Sequence, residues 1–122
     1  MNNHLTCFSE PQIFKPQDKN QPLDTVSQIL WDHSHSELAF FVASWDGTVR
    51  HYKFVMQGNS TEINLIQKYF FKHPVLSIDI SSDHLLFAGL ATGEVEMTKM
   101  EINEIKKLGS HDAPICGVFY IK

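Results

Sequence analysis

A chain of 122 residues suits one modest domain. Its 43% hydrophobic and 20% charged residues give a globular balance, which excludes a disordered polyelectrolyte. A formal charge of −4 argues against a broad nucleic-acid footprint, which needs Lys and Arg clustered on one face.

The two cysteines, Cys7 and Cys116, form no C-x-x-C pair, so zinc and redox motifs are absent and two reduced thiols are expected. The polar start (Asn2, Asn3, His4, Glu10) has no apolar stretch of the kind a secretory leader carries. The longest apolar run, residues 38–43, is far short of a bilayer span. Asn59-Ser60-Thr61 matches a glycosylation acceptor, yet without secretion it reads as a polar loop. A soluble intracellular protein is expected, with no membrane contact.

In chain order, residues 1–24 are predicted to form a flexible arm. Three of the five prolines, Pro11, Pro16 and Pro22, interrupt it and no regular period emerges. Leu5 to Phe8 is the place where a short strand could dock. From Thr25 the texture changes to short β-branched and aromatic runs between polar turns. The first round is a strand over 25–31, a turn over 32–37 and a strand over 38–44. The Asp46-Gly47 hairpin turn follows, because both central residues accept positive φ. A strand over 48–55, a loop over 57–62 and a strand over 63–71 complete the round. The second round has strands over 74–80, 85–90, 94–100 and 104–108, with Thr92-Gly93 as its hairpin turn. A third round opens at Pro114 and runs to the end at 122. No stretch sustains a helical i, i+3, i+4, i+7 pattern over three turns.

The two rounds look like copies. The string Ala43-Ser44-Trp45-Asp46-Gly47-Thr48-Val49-Arg50 aligns with the segment from Ala88 to Glu96 at an offset of about 45 residues, with one extra residue in the second turn. His73-Pro74-Val75 is echoed by His111-Asp112-Ala113-Pro114-Ile115 about 40 residues later. The expected fold is all-β, a partial β-propeller: blades at 25–71 and 74–108 plus the first strand of a third at 114–122. A closed ring at this spacing needs roughly 300 residues. Closure is how a propeller removes its edges. The chain is therefore expected to be a fragment, a truncated product, or a relative that completes itself by association.

Three strings carry a more specific likeness. The run from Asn20 to Ser27, Ser44-Trp45-Asp46-Gly47-Thr48-Val49-Arg50, and Leu108-Gly109-Ser110-His111-Asp112-Ala113-Pro114-Ile115 resemble the first repeats of one WD-repeat group. That group holds the nuclear-pore mRNA export factor (the Gle-two type) and the mitotic checkpoint WD-repeat protein. The resemblance covers residues 20–122 and implies a protein-binding scaffold in the nucleus and at the nuclear envelope, present in the cytoplasm as well. It implies a nucleoporin or checkpoint protein as partner through a short peptide segment, with RNA met only indirectly. It implies no cofactor, no small-molecule substrate and no enzymatic chemistry. Two departures stand out. The Trp-Asp pair that usually ends the third strand is replaced by Tyr52-Lys53 and Thr98-Lys99, and the turn aspartate Asp46 has only Ala91 or Thr92 opposite it. The second blade is thus expected to be less rigid, or to rely on Leu76, Ile78, Ile80, Leu86, Phe87 and Val95.

Candidate residues follow from these motifs. In the checkpoint-type relatives the matching Trp lies on a peptide-binding face, so the resemblance makes Trp45 a peptide anchor; packing between blades is the competing place. Asp46, Gly47, His73, His111 and Asp112 are expected to form the turn and its structural network. His111-Asp112 as a catalytic dyad lacks a nucleophile in a strained turn, which leaves a small hydrolase as a weak alternative. His33 and His35 lack a third protein ligand for a metal and read as a solvated turn. Arg50 is expected to be a solvated strand residue, Lys106-Lys107 a solubilising pair, and Met56, Met97 and Met100 fillers of core or edge.

Overall fold

In the computed structural model, which describes residues 14–102, 104–115 and 117, the strands follow one another as two antiparallel meanders. The first sheet runs in order through β1 (Val26–Trp31), β2 (Ala39–Ser44), β3 (Thr48–Gln57) and β4 (Ser60–Phe70). The second runs through β5 (Val75–Ile80), β6 (Leu85–Leu90), β7 (Glu94–Lys99) and β8 (Glu104–Ser110). A 3-10 turn at Asp18–Asn20 is the one helical element among the described residues. No helix there is long and apolar enough to cross a membrane. Cys7, Cys116, the segment Leu5 to Phe8 and most of the expected third-round strand lie outside the described residues.

The strand positions follow the β-branched and aromatic runs, and the hairpin turns fall where glycine permits positive φ. Gly47 (φ 86°) and Gly93 (φ 90°) occupy the same place in the two sheets. The predicted loop over 57–62 is a tighter structure. β3 continues to Gln57, β4 starts at Ser60, and Gly58-Asn59 is left as a two-residue turn with Gly58 at φ 59°. The polar run Ser60-Thr61-Glu62 concealed a strand, because a hairpin tip has no core to face and needs no apolar alternation. β8 likewise runs past the predicted 108 to Ser110.

The copies match in register. β1 pairs with β2 through Ile29↔Val42 and Trp31↔Phe40, with an irregularity between Val26 and Gln28. β5 pairs with β6 through Ile78↔Ala88 and Ile80↔Leu86, with the same irregularity between Val75 and Ser77. The two hairpin turns are equal in length, since Ser44 to Thr48 superposes in register on Leu90 to Glu94. The extra residue expected in the second turn is therefore absent.

The core lies between the sheets. Phe41, Ala43, Val49, Tyr69 and Phe71 of the first half meet Val75, Ile78, Leu86, Ala88 and Leu90 of the second. Burying an aliphatic or aromatic side chain of this size contributes about 1.5–3 kcal/mol. Of the residues expected to stabilise the second sheet, Ile78 and Leu86 are in this cluster and Ile80 packs against it. Leu76, Phe87 and Val95 are half-buried. Strand β5 is an edge strand, and β1 covers its open backbone groups. Gln28 Oε1 accepts from the Ile78 amide at 2.8 Å, and the Ser27 hydroxyl donates to the Val75 carbonyl at 2.5 Å.

Candidate interaction surface

The β2–β3 turn is built around one carboxylate. Asp46 Oδ1 accepts from the Thr48 amide at 2.9 Å and from the Thr48 hydroxyl at 2.5 Å. Asp46 Oδ2 accepts from the Leu23 amide at 2.9 Å and from Arg50 Nη1 at 2.7 Å. Arg50 Nη1 also donates to the Thr48 hydroxyl oxygen. Burial opposes ionisation of Asp46, but hydrogen bonds from Thr48, Leu23 and Arg50 outweigh it and hold its pKa at about 2.

Arg50 is only 2% exposed, so the expectation of a solvated side chain is corrected. The turn carboxylate four residues earlier compensates its charge, and its Nε has no partner among the described residues. Met56 is also corrected: it stands exposed near the hairpin tip rather than filling a core. Met100 packs against the inter-sheet cluster, and Met97 is half-buried.

Trp45 sits on this fixed turn with 50% of its surface exposed. Its amide donates to the Thr25 carbonyl at 2.9 Å, and the neighbouring Ser44 hydroxyl donates to the Asp24 carbonyl at 3.3 Å. The indole is therefore held at the rim by its backbone while one side stays open to solvent. In the second sheet Ala91 takes the place of Trp45, its amide donating to the Pro74 carbonyl at 2.9 Å. Thr92 stands where Asp46 does, and its hydroxyl reaches Glu94 at 3.5 Å.

His73 and His111 are exposed and act through their backbones. A Cβ on Gly47 would sit 3.3 Å from the His73 carbonyl oxygen, and the same atom on Gly93 would overlap the carbonyl oxygen of His111. The His111 amide donates to the Gly93 carbonyl at 2.7 Å. Each histidine thus closes the chain over the glycine of its own blade. Asp112 is exposed as well, and among the described residues no hydrogen bond joins it to His111. His33 is exposed, while His35 Nδ1 accepts from the Glu37 amide at 3.0 Å. Lys106 and Lys107 are exposed, and Lys107 lies 3.9 Å from Glu94.

A second polar site was not read from the sequence. At the opposite end of the sheet His51 Nε2 lies 2.9 Å from Asp32 Oδ2, both side chains buried, and the imidazole stacks on Phe41 at 4.0 Å. Asp32 Oδ1 accepts from the Ser34 hydroxyl at 2.6 Å and the Ser34 amide at 3.1 Å. The spacing Asp32-His33-Ser34 was the available signal, since Asp accepts from the backbone two residues on in an Asx-turn. A cleft of about 420 Å³ opens beside it, lined by His35, Tyr69, His84 and Glu101 among others. No group of three metal-ligating side chains gathers among the described residues.

No family model matches the chain. The WD40 repeat protein poxJ of Penicillium oxalicum is 34% identical over 104 residues, which cover 83% of this chain. The counterpart in strain 114-2 of the same fungus gives the same figures. The likeness supports a place in the WD-repeat family. With the paired four-stranded sheets, the fold is a partial WD-repeat β-propeller, and each sheet is one blade. The chain spans about 29% of the length of these relatives. Among solved structures, the computationally designed Ika4 protein aligns at TM-score 0.44 and 6% identity, covering 93% of this chain and 88% of that one. That likeness is too loose to add weight.

Proposed function

We propose that the chain is a protein-interaction scaffold whose working surface is the rim at the β2–β3 turn, with Trp45 anchoring a short extended peptide. One observation carries this reading. A large amphipathic ring stands half-open on a turn that Asp46, Thr48, Arg50 and Leu23 lock in place. Binding to a fixed aromatic costs little ordering entropy, which is why such rings dominate interface energetics. The likeness to WD40-repeat proteins supports a scaffold without chemistry of its own, and the His111–Asp112 geometry gives a hydrolase no support.

The finer reading rests on the Ser-Trp-Asp-Gly-Thr-Val-Arg and His-Asp-Ala-Pro-Ile strings. It makes the partner segment part of a nucleoporin, the process mRNA export, and the place of action the nuclear pore, with RNA reached only through that partner. A checkpoint adaptor at the kinetochore is the second reading, favoured by the exposed place of Trp45. Titration of the chain with fluorescent peptides from nucleoporins and from checkpoint proteins separates the two. Trp45→Ala is expected to weaken the bound peptide about 30-fold, the loss of about 2 kcal/mol usual for an aromatic anchor. Unchanged affinity in that variant would remove the rim from consideration.

A further inference from the structure

Successive residues of the arm bond to successive residues of the Trp45 turn. The Leu23 amide donates to Asp46 Oδ2 at 2.9 Å. The Asp24 carbonyl accepts from the Ser44 hydroxyl at 3.3 Å, and the Thr25 carbonyl accepts from the Trp45 amide at 2.9 Å. In the second blade the equivalent segment, just before β5, makes one such bond among the described residues, from the Ala91 amide to the Pro74 carbonyl. Leu90 stands there in place of Ser44 and has no hydroxyl, and Thr92 stands in place of Asp46 and reaches Glu94 instead. The triple link belongs to the blade that carries the exposed indole.

Upstream, the same arm is fastened to the far face of the first blade. Tyr52, 1% exposed and packed with Val42 and Ile63, donates its hydroxyl to the Asn20 carbonyl. Phe14 meets Phe54 edge-on at 6.2 Å. Gln21 Nε2 donates to the Pro16 carbonyl at 3.0 Å and to Asp18 Oδ1 at 3.2 Å, which holds the arm folded around its 3-10 turn. Between the Asn20 fastening and the Leu23 bond lie only Gln21 and Pro22, and the proline ring fixes φ at that joint. A shift of the arm at Asn20 is therefore passed to Leu23 rather than absorbed.

We propose that residues 14–25 form a strap that positions Trp45, with Tyr52 and Phe14 as remote positioning residues for the rim. With the strap seated, the turn is held from the arm as well as from Thr48 and Arg50. When the strap lifts, Asp46 loses Leu23 but keeps Thr48 and Arg50, so the turn survives while its indole loosens. A loosened ring must be ordered again when a peptide arrives, and that ordering lowers affinity. The use made of the ring rests on the peptide-binding reading; the link between strap and turn does not.

Amide exchange of the full chain reads that link without any peptide. Tyr52→Phe keeps the ring and removes the hydroxyl that holds Asn20, and Phe14→Ala removes a ring that is 43% exposed. The double variant is expected to speed exchange of the Trp45 amide about tenfold, a change of about 1.4 kcal/mol in local opening. The Ala91 amide, which makes the matching bond in the second blade, is the internal control and should not change. Nitrogen relaxation of the Trp45 indole N–H should report a looser ring in the same variant. Where Tyr52→Phe loses its folded spectrum, Phe14→Ala alone decides, with a smaller rise at Trp45 expected. An unchanged Trp45 rate overturns the proposal. So does a rate that rises equally at Ala91, because that is general loss of stability rather than release of one turn. A chain that binds no peptide yet shows the change confined to Trp45 sinks the peptide reading and leaves the strap standing.

Discussion

His51 and Asp32 meet at 2.9 Å inside the first blade, with Phe41 stacked against the imidazole and Ser34 held on the other carboxylate oxygen. Burial pushes the imidazole below its ordinary pKa of 6.5, and the attraction of Asp32 only partly offsets that, with His35 opposing it. Asp32 is also pushed up by burial, but the Ser34 hydrogen bonds and the His51 ring more than reverse this and leave it lowered. The pair at neutral pH is a carboxylate bonded to a neutral ring.

The sign of the pH dependence follows. A histidine with a lowered folded pKa binds its proton more readily when unfolded, so stability is intact above pH 6.5 and falls as acid is added below it. Asp32 adds loss in the same direction below its ordinary 3.8. Glu96, raised by burial and by Glu94, acts the other way and costs stability as pH rises above 4.5. Melting temperatures taken downward from neutral pH are expected to drop in wild type from 6.5 and to stay flatter in His51→Gln over that first step. Identical slopes in the two proteins would contradict the assignment.

Asp46 and Arg50 give an ordered pair of mutants. Asp46→Ala strands a guanidinium that is 2% exposed, and removal of one member of a buried ion pair costs about 3–5 kcal/mol. Arg50→Met removes the buried charge itself and leaves Asp46 bonded to Thr48 and Leu23, so a smaller loss is expected. Urea unfolding of the two variants checks the order.

Glycine substitutions should rank by the space around each Cβ. Gly93→Ala meets both a left-handed φ of 90° and the carbonyl oxygen of His111, with that of Ala113 at 2.7 Å, and is expected to cost about 3 kcal/mol. Gly58→Ala has open space around it and pays only its φ of 59°, about 1 kcal/mol. Gly47→Ala, 3.3 Å from the His73 carbonyl oxygen, falls between. Thermal denaturation of the three gives the ranking.

Much of this fold was legible because glycine turns and β-branched runs are local signals. Asp46-Gly47 and Thr92-Gly93 marked the two hairpins, and the runs around Phe41 and Phe87 marked their strands. What the sequence concealed was set by tertiary contacts. Nothing local says that Arg50 is buried, because its burial depends on a carboxylate in the turn and on Leu23 arriving from the arm. The His51–Asp32 pair, 19 residues apart in sequence, needs the β1–β2 and β2–β3 registers before the two can be brought together. For Trp45 the motif gave the position, while its 50% exposure in this chain depends on the packing of the turn, which no local pattern fixes.

The fold depends on the second blade seating its inner edge against the first, and amide exchange at Ile78 reads that contact out. The Ile78 amide faces away from its own sheet and is held by Gln28 across the blade junction at 2.8 Å. It should therefore exchange as slowly as amides within the ladders, and Gln28→Ala should release it while leaving the β6 amides protected. Rapid exchange of Ile78 in wild type, or protection indifferent to Gln28, would mean that the blades are not packed as described.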